Sequence, residues 1–241
     1  MFVCISKMLC KSLIRGIANR LRPNGAVQYT SSLYVDSYEK SAGFHYVIPA
    51  APVLVLNGGI GGYESKQLRY FLQHCSHNWD HVLYVPGPYE FGSSRLASEQ
   101  GLDHVISDFM NVHLMANNTR YIPRINTYFL GTPYCTASDV AWLTRAFDKV
   151  RSTDANIIVA SSAWPTVARC GDVYPVCDIW LHGCVAGGRK IQYMNGVIGA
   201  YNARGHIGRV NDFSGRDGWS LTATIDLPNK FDASTAPLVL E

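Results

Sequence analysis

The residues of this chain that could do chemistry stand close to the ends of apolar runs. Ser161 and Ser162 follow one such run, and His182 lies two positions before Cys184 at the end of another. A serine acts as a nucleophile when a base activates it, while a histidine with a cysteine could hold one metal ion or form a Cys–His nucleophile. Glu90 adds a carboxylate just after a Pro-Gly turn signal. These five positions are the first candidates for a site.

The local sequence favours a structural role for most of them. No G-x-S-x-G elbow surrounds the serines, so we interpret Ser161 as a small polar filler. A lone carboxylate beside a turn, such as Glu90, is typical of a cap or a salt-bridge partner. His74, His77 and His81 follow one another at steps of three and four residues near a predicted helix end, which is typical of solvated histidines.

Two further features could bind anions. Gly58-Gly59 and Gly61-Gly62 could cradle a phosphate, but no P-loop lysine with serine or threonine follows and the G-x-G-x-x-G pattern does not fit. Arg189-Lys190 and the segment 204–209 are modest basic spots, which we interpret as solvated surface. Because the net charge is only +3, no specific nucleic-acid partner is predicted.

The elements that must position these residues are recognisable as buried strands. Val53–Leu56 is an apolar run that ends in glycines, and similar runs occupy 81–85, 156–160 and 178–182. Continuous apolar runs of this length predict strands that are covered on both faces. Chemistry in α/β sheets is usually placed at the carboxyl ends of strands, so we expect all four runs to deliver their loops to one edge.

The rest of the pattern predicts helices as well as strands. Helices are predicted at 64–73, at 95–110 with its approach to the next strand, and at 136–150, where Thr136 and Asp139 resemble a capping arrangement. Further strands are predicted at 27–30, 112–116 and 126–130, a hairpin at 190–194 and 197–201, and a half-buried strand from 219 to 226.

Composition restricts the class of protein. The chain has 241 residues, 47% of them hydrophobic and 16% charged, which predicts a folded α/β domain. Its seven cysteines are irregularly spaced and contain no C-x-x-C pair, so we expect reduced thiols, inside a cell or a virus particle, and no zinc knuckle. No apolar run approaches the roughly 20 residues that a membrane span needs.

The first 26 residues differ from the rest. Apolar residues recur there at helical spacing among lysines and arginines, and no acidic residue precedes Asp36. Such a basic amphipathic helix could contact a membrane surface, occupy a partner's groove, resemble a transit peptide, or pack on the domain. We therefore predict an N-terminal amphipathic basic extension at 1–26 and a single domain at 27–241.

Taken in order, the loops resemble those of the calcineurin-like metallophosphoesterases over roughly residues 27–228. The similar stretches are Gln28–Tyr34 (the D-x-H strand), Leu54–Gly61 (L-x-L-A-G-D-I-G), Leu83–Phe91 (V-x-G-N-H-E-F), Phe129–Pro133 (the G-T strand end), Trp180–Ala186 (W-I-H-G-H-T-H) and Asn202–Gly205 (N-P-R-G). The resemblance implies an α/β fold, a metallophosphoesterase-like β-sandwich of two mixed sheets flanked by helices.

The resemblance stops at the metal ligands of that family. The replacements are Ser32 and Tyr34 in D-x-H, Gly59 for the bridging aspartate, Pro88 and Tyr89 for the asparagine and catalytic histidine, Ser161 for the later histidine, and Cys184 and Ala186 in G-H-x-H. Two divalent ions need carboxylates and neutral imidazoles, and glycine offers neither. We therefore predict no dinuclear centre, no catalytic, cofactor-binding or metal-ligating residue, and no cofactor.

These observations lead to one functional prediction with two alternatives. The prediction is a catalytically inactive metallophosphoesterase-like protein that acts as a structural or protein-interaction subunit of a large assembly, a virus particle or an organellar complex. Its partners are then other subunits of that assembly. The alternatives are a phosphoesterase with a rebuilt mononuclear or metal-free site, and a ligand- or nucleic-acid-binding module that uses the old cleft. We also expect Tyr34 and Tyr89 to plug the emptied cleft.

Overall fold

The computed structural model describes residues 25–37, 47–133, 136–163, 177–183, 188–194, 196–204 and 219–228. Nearly all of the predicted N-terminal extension, together with Cys184 and Ala186, lies outside the described residues. The domain boundary at residue 27 therefore stays a prediction. Among the described residues, no helix is long and apolar enough to cross a membrane.

Two mixed β-sheets form the centre of the domain. The first has the strand order β11-β1-β2-β3-β4 and consists of β1 (Ala26–Thr30), β2 (Val53–Asn57), β3 (His81–Val85), β4 (Val112–Leu114) and β11 (Thr224–Asp226). β1 to β4 run parallel, and β11 is antiparallel to β1. The predicted apolar runs of β2 and β3 are central strands, which explains why they do not alternate in polarity.

The second sheet has the strand order β5-β6-β7-β8-β10-β9. Its strands are β5 (Asn118–Ile122), β6 (Thr127–Thr132), β7 (Asn156–Ser161), β8 (Ile179–His182), β9 (Gly188–Met194) and β10 (Val197–Ala203). β6, β7, β8 and β10 are parallel, while the edge strands β5 and β9 are antiparallel to their neighbours. The predicted hairpin is confirmed as β9 and β10.

Helices cover the outer face of each sheet. They are α1 (Lys66–Asn78), the single turn α2 (Pro88–Phe91), α3 (Arg95–Ile106) and α4 (Ala137–Val150). α4 begins as predicted, because the Thr136 hydroxyl accepts the Asp139 N–H and the Asp139 carboxylate accepts the Thr136 N–H. This capping box satisfies donors that a helix start otherwise leaves unpaired.

Among the described residues, three apolar clusters hold the layers together. The inner cluster fills the space between the sheets and includes Val55, Leu83, Phe129 and Ile158. The first sheet packs against α1 and α3 through an outer cluster that includes Leu68, Phe71 and Leu102, and the second sheet packs against α4 through one that includes Leu143 and Phe147. The predicted β-sandwich of two mixed sheets flanked by helices is therefore confirmed.

The boundaries differ from the predictions where local contacts override the pattern. α1 was predicted to end at 73 but continues to Asn78, because Cys75 is also buried against the first sheet. The strand predicted at 219–226 is confined to Thr224–Asp226: the Trp219 indole N–H donates to Thr30, and the Ser220 N–H donates to the Asn202 side chain. β5, whose residues are mostly polar and exposed, was not predicted.

Candidate functional site

The loops that follow β2, β3, β7 and β8 meet at one edge of the sandwich, as predicted. They touch around Ser162. A Cβ atom on Gly58 would lie 2.7 Å from the Ser162 Cβ, and one on Gly87 would lie 2.8 Å from the same atom. A Cβ atom on Gly183 would lie 2.4 Å from the Ser162 carbonyl oxygen. These distances are too short for any side chain, so three glycines are needed to let the four loops close on one serine.

Gly59 and Ser32 form a second close contact beside the first. Gly59 has φ 66°, in the left-handed region, and a Cβ atom on it would lie 3.0 Å from the Ser32 Cα. The Ser32 N–H donates to the Gly58 carbonyl at 2.9 Å, and the Tyr34 N–H donates to the Gly59 carbonyl at 2.8 Å. The backbone after β1 therefore lies directly against the loop after β2.

The carboxylate of Glu90 accepts hydrogen bonds from the backbone of the same loop and of the loop after β3. Its Oε2 accepts the N–H groups of Gly59 at 3.1 Å and Gly87 at 2.8 Å. Its Oε1 accepts the N–H groups of Ile60 at 2.5 Å and Gly61 at 3.3 Å. The donors that the sequence suggested for a bound phosphate are thus already used by an internal carboxylate. Of the two roles predicted for Glu90, a cap or a salt-bridge partner, its contacts are those of a cap.

Burial and hydrogen bonding act on Glu90 in opposite directions. Burial raises the pKa of this carboxyl group above its usual range, while the backbone N–H groups stabilise the carboxylate and oppose the shift. The Tyr84 hydroxyl also donates to Oε1 at 3.2 Å, and burial, together with this neighbouring carboxylate, raises the pKa of Tyr84. Glu90 is therefore bound on all sides and buried, which suits a structural anchor.

Known structures resemble this arrangement of layers and loops. The phosphopantetheinyl hydrolase PptH from Mycobacterium tuberculosis matches with a TM-score of 0.57 at 10% identity, over 80% of this chain and 93% of that one. TT1561 of Thermus thermophilus matches with a TM-score of 0.56 at 11% identity, over 74% of this chain and 89% of that one. The chain has a metallophosphoesterase-like fold. No protein-family model and no curated protein matches the sequence.

Several of the positions at which the resemblance predicts replaced ligands lie at this closed edge. Ser32 and Gly59, the predicted positions of the first aspartate and the bridging aspartate, lie in contact with each other. Tyr34 and Tyr89, the predicted positions of the first histidine and the catalytic histidine, have ring centroids 4.7 Å apart in an edge-to-face arrangement. Within the described part of the chain, no three histidine, cysteine, aspartate or glutamate side chains are grouped to hold a metal ion.

The two tyrosines close only the outer side of the site. Tyr34 is buried, but Tyr89 remains 40% exposed, with its hydroxyl donating to Asp36 at 3.0 Å. The prediction of a tyrosine plug therefore captures their contact and misses Ser162, against which glycines of the neighbouring loops pack. One sequence signal could have indicated Ser162. It follows a predicted strand, and three other loops predicted at the same edge contain glycines.

Ser161 and His182 take structural positions. The Ser161 hydroxyl donates to the Ala163 carbonyl at 2.8 Å and accepts the Trp180 indole N–H at 2.9 Å, which agrees with the predicted polar filler. The His182 ring is buried beside Tyr201, with Nδ1 2.8 Å from the Gly183 carbonyl oxygen. The suggested pairing of His182 with Cys184 falls outside the described residues.

A polar floor beneath the loops was not foreseen from the sequence. Ser31 and Asn57 each stand two positions after a residue of the inner cluster, Tyr29 on β1 and Val55 on β2, so both side chains face the space between the sheets. Both are buried, and among the described residues neither the Ser31 hydroxyl nor the Asn57 amide has a hydrogen-bond partner. Buried amides are usually satisfied, so this pair is the part of the site with unused hydrogen-bonding capacity.

The remaining candidates do not join the site. His74 and His77 lie on α1, and His81 lies at the start of β3, where its ring packs 6.0 Å from that of His113. The Arg204 guanidinium lies 5.7 Å from the Trp219 ring, and residues 205–209 are outside the described ranges. The predicted histidine cluster therefore lies apart from the loops. Of the other basic spot, Lys190 is exposed, whereas Arg189 is partly buried beside Tyr29, so the prediction of solvated surface is wrong for Arg189.

Replacing Glu90 with glutamine tests its role as an anchor. Glutamine places an NH2 group against backbone N–H donors, so we expect Glu90→Gln to lower the free energy of unfolding by about 2–3 kcal/mol. Chemical denaturation measures this change. Glu99→Gln on α3 is the matched control, because its partly exposed pair with Arg95 contributes at most about 0.5 kcal/mol. Equal effects of the two variants would contradict the anchor.

The burial of His182 predicts a dependence of stability on pH. Burial lowers the pKa of His182 from 6.5 to about 4. The unfolded chain therefore takes up a proton at this residue that the folded chain excludes, and stability is lost as the pH falls from about 6.5 to about 4. His182→Asn keeps a donor for Gly183 and should remove up to about 3 kcal/mol of this loss. If the free energy of unfolding of His182→Asn depended on pH as in the natural sequence, this assignment would be contradicted. An equal change in the control His77→Asn, whose side chain is exposed, would also contradict it.

Proposed function

We propose that this chain is a catalytically inactive metallophosphoesterase-like protein that serves as a structural or protein-interaction subunit of a large assembly. The observation that carries the proposal is the close packing of Ser162 against Gly58 and Gly87, with Gly59 against Ser32. A side chain at either loop glycine would overlap a neighbouring residue. The edge where this fold could carry a metal centre is filled by the chain's own backbone.

The donor set supports the same proposal. A dinuclear centre needs anionic oxygens and neutral imidazoles around both ions, and one carboxylate between them. Ser32 and Ser161 offer only hydroxyl groups, and Gly59 offers no side chain. Glu90 and Asp36 are carboxylates beside the loop, and both oxygens of Glu90 accept backbone N–H groups. These residues do not fit two divalent ions, and no step of a hydrolysis is assigned to them.

A subunit role accounts for a chain that keeps its fold without its chemistry, because fold and function are separable. The basic segment 1–26 and the low charged fraction of 16% suit a component that is surrounded by other subunits. A virus particle or an organellar complex remains the proposed setting. The reduced state of the thiols remains part of the same proposal.

One observation favours a second candidate, a phosphoesterase with a rebuilt mononuclear or metal-free site. Ser31 and Asn57 hold unused polar atoms directly beneath the loops. They are neutral, so they would contribute hydrogen bonds to a ligand rather than charge to a metal ion. This candidate requires a ligand to reach two side chains that are buried in the structure.

Metal content and turnover separate the two candidates. The purified chain is incubated with manganese, zinc and iron, measured by elemental mass spectrometry, and assayed with a chromogenic phosphodiester. We expect metal well below one equivalent and no turnover. Gly59→Asp should also fail to bind metal and should be less stable, because its side chain meets Ser32. PptH, a hydrolase with a similar fold, is taken through the same incubation and assay as the comparison protein.

The opposite result would be stoichiometric metal with turnover that a chelator abolishes, which contradicts the inactive protein. Turnover without metal that is lost in Asn57→Ala would support the second candidate. The assembly half of the proposal is tested separately, by sizing the tagged chain from its native source. We expect it to elute far above its own mass of 26.7 kDa. Elution at the monomer mass would contradict a subunit role.

A further inference from the structure

The outer edge of β9 carries backbone groups that no described strand covers. β9 is the last strand of the second sheet and pairs along all seven of its residues with β10. The other edge strands are shorter: β4 and β11 have three residues each and β5 has five. A long edge strand is a ready template for pairing with another chain.

The direction of the backbone groups on β9 follows from its neighbour. The Ile198 N–H of β10 donates to the Asp178 carbonyl, on the side of β8. Backbone groups alternate in direction along a strand, so Gly199 turns towards β9, where it pairs with Gln192. On β9, Gln192 therefore directs its backbone groups towards β10, and the residues on either side of it direct theirs away from the sheet. The outward N–H and C=O groups belong to Arg189, Ile191 and Tyr193.

The side chains of the same three residues share one face of the strand. Ile191 is 49% exposed and Tyr193 is 62% exposed, whereas Arg189 is partly buried. Large apolar side chains therefore lie exposed beside outward backbone donors and acceptors. The opposite face carries the polar Lys190 and Gln192.

We propose that β9 pairs antiparallel with β9 of a second copy of this chain, about a two-fold axis at Ile191. In this register Ile191 faces the partner's Ile191, and Arg189 faces the partner's Tyr193. All three residues with outward backbone groups then occupy hydrogen-bonded positions. The second sheets of the two copies become one continuous sheet.

The sequence of β9 is complementary to itself in this register. Arg189 lies opposite the partner's Tyr193 and Lys190 lies opposite its Gln192, so no two like charges face each other. β5, the next longest edge strand, is not complementary to itself. A two-fold axis at its centre would place Arg120 against the partner's Arg120, and like charges directly opposite each other are destabilising.

The size of the contact sets the strength of the dimer. One pair of edge strands buries much less than the roughly 1,600 Å² of a standard stable interface. The dimer is therefore weak and depends on concentration. In a larger assembly, a high local concentration would favour it. The pairing does not depend on whether the chain hydrolyses a substrate.

Sedimentation equilibrium of the full chain over a range from about 10 µM to about 1 mM, suited to a weak complex, measures the association. We expect the apparent mass to rise from 26.7 kDa towards twice that value. Ile191→Lys places two lysines face to face and should weaken association at least tenfold. Leu96→Lys on α3, another exposed apolar residue, should leave it unchanged. A monomer at every concentration, or equal effects of both variants, would overturn the proposal.

Cysteine cross-linking tests the register. Residues opposite each other in a hydrogen-bonded antiparallel pair have Cα atoms about 5.5 Å apart, within the range of a disulfide. Under mild oxidation, Ile191→Cys should form a covalent dimer. Tyr193→Cys should not, because the two copies of residue 193 lie four positions apart, roughly 13 Å. The natural sequence, treated alike, corrects for native cysteines. Cross-linking of Tyr193→Cys as fast as Ile191→Cys would overturn the two-fold register.

Discussion

The contact of Ser162 with Gly58 and Gly87 constrains the whole carboxyl edge of the sandwich. Two of these residues follow strands of the first sheet, and the third follows a strand of the second sheet. Their approach brings the two sheets together where open loops would otherwise separate them. Gly183 extends the same contact to a fourth strand, since its Cα lies against the Ser162 carbonyl. Closure of this edge thus depends on glycine backbone that packs against one serine.

Closure also explains how the backbone polar groups are satisfied. A tight glycine-rich loop in a buried setting leaves several N–H groups that need acceptors. Glu90 supplies two oxygens to the N–H groups on Gly59, Ile60, Gly61 and Gly87, and Asp36 accepts the N–H of Gly62. A carboxylate that binds its own loop leaves little capacity for an external anion. The loop therefore has the glycines of a phosphate-binding loop, but its N–H groups donate to carboxylates of the same chain.

The sequence was sufficient for the framework and for the positions of the loops. Central strands such as β2 and β7 were recognisable because burial on both faces removes polar residues from them, and α4 carried a complete capping box. β5 was missed because its exposed residues show no periodicity, and its place depends on pairing with β6. The strand predicted to start at 219 starts only at Thr224, because Asn202, distant in sequence, binds the segment before it through its side chain.

The site was predictable by position and less so by its contacts. The predicted replacement of the ligand residues rests on single positions in the sequence, whereas the packing of Ser162 against Gly58 and Gly87 depends on the distance between two sheets. The same limit applies to Ser31 and Asn57. Each is an ordinary polar residue at a strand end, and only the packing of the second sheet over both of them makes their side chains buried.

The closed edge is tested most directly by a crystal structure of the chain grown with manganese, with anomalous scattering recorded for that ion. We expect the Ser162 side chain in van der Waals contact with Gly58 and Gly87, and no anomalous peak among the loops after β1, β2, β3 and β7. A peak of two ions at this edge, with Ser162 displaced from the glycines, would contradict the account.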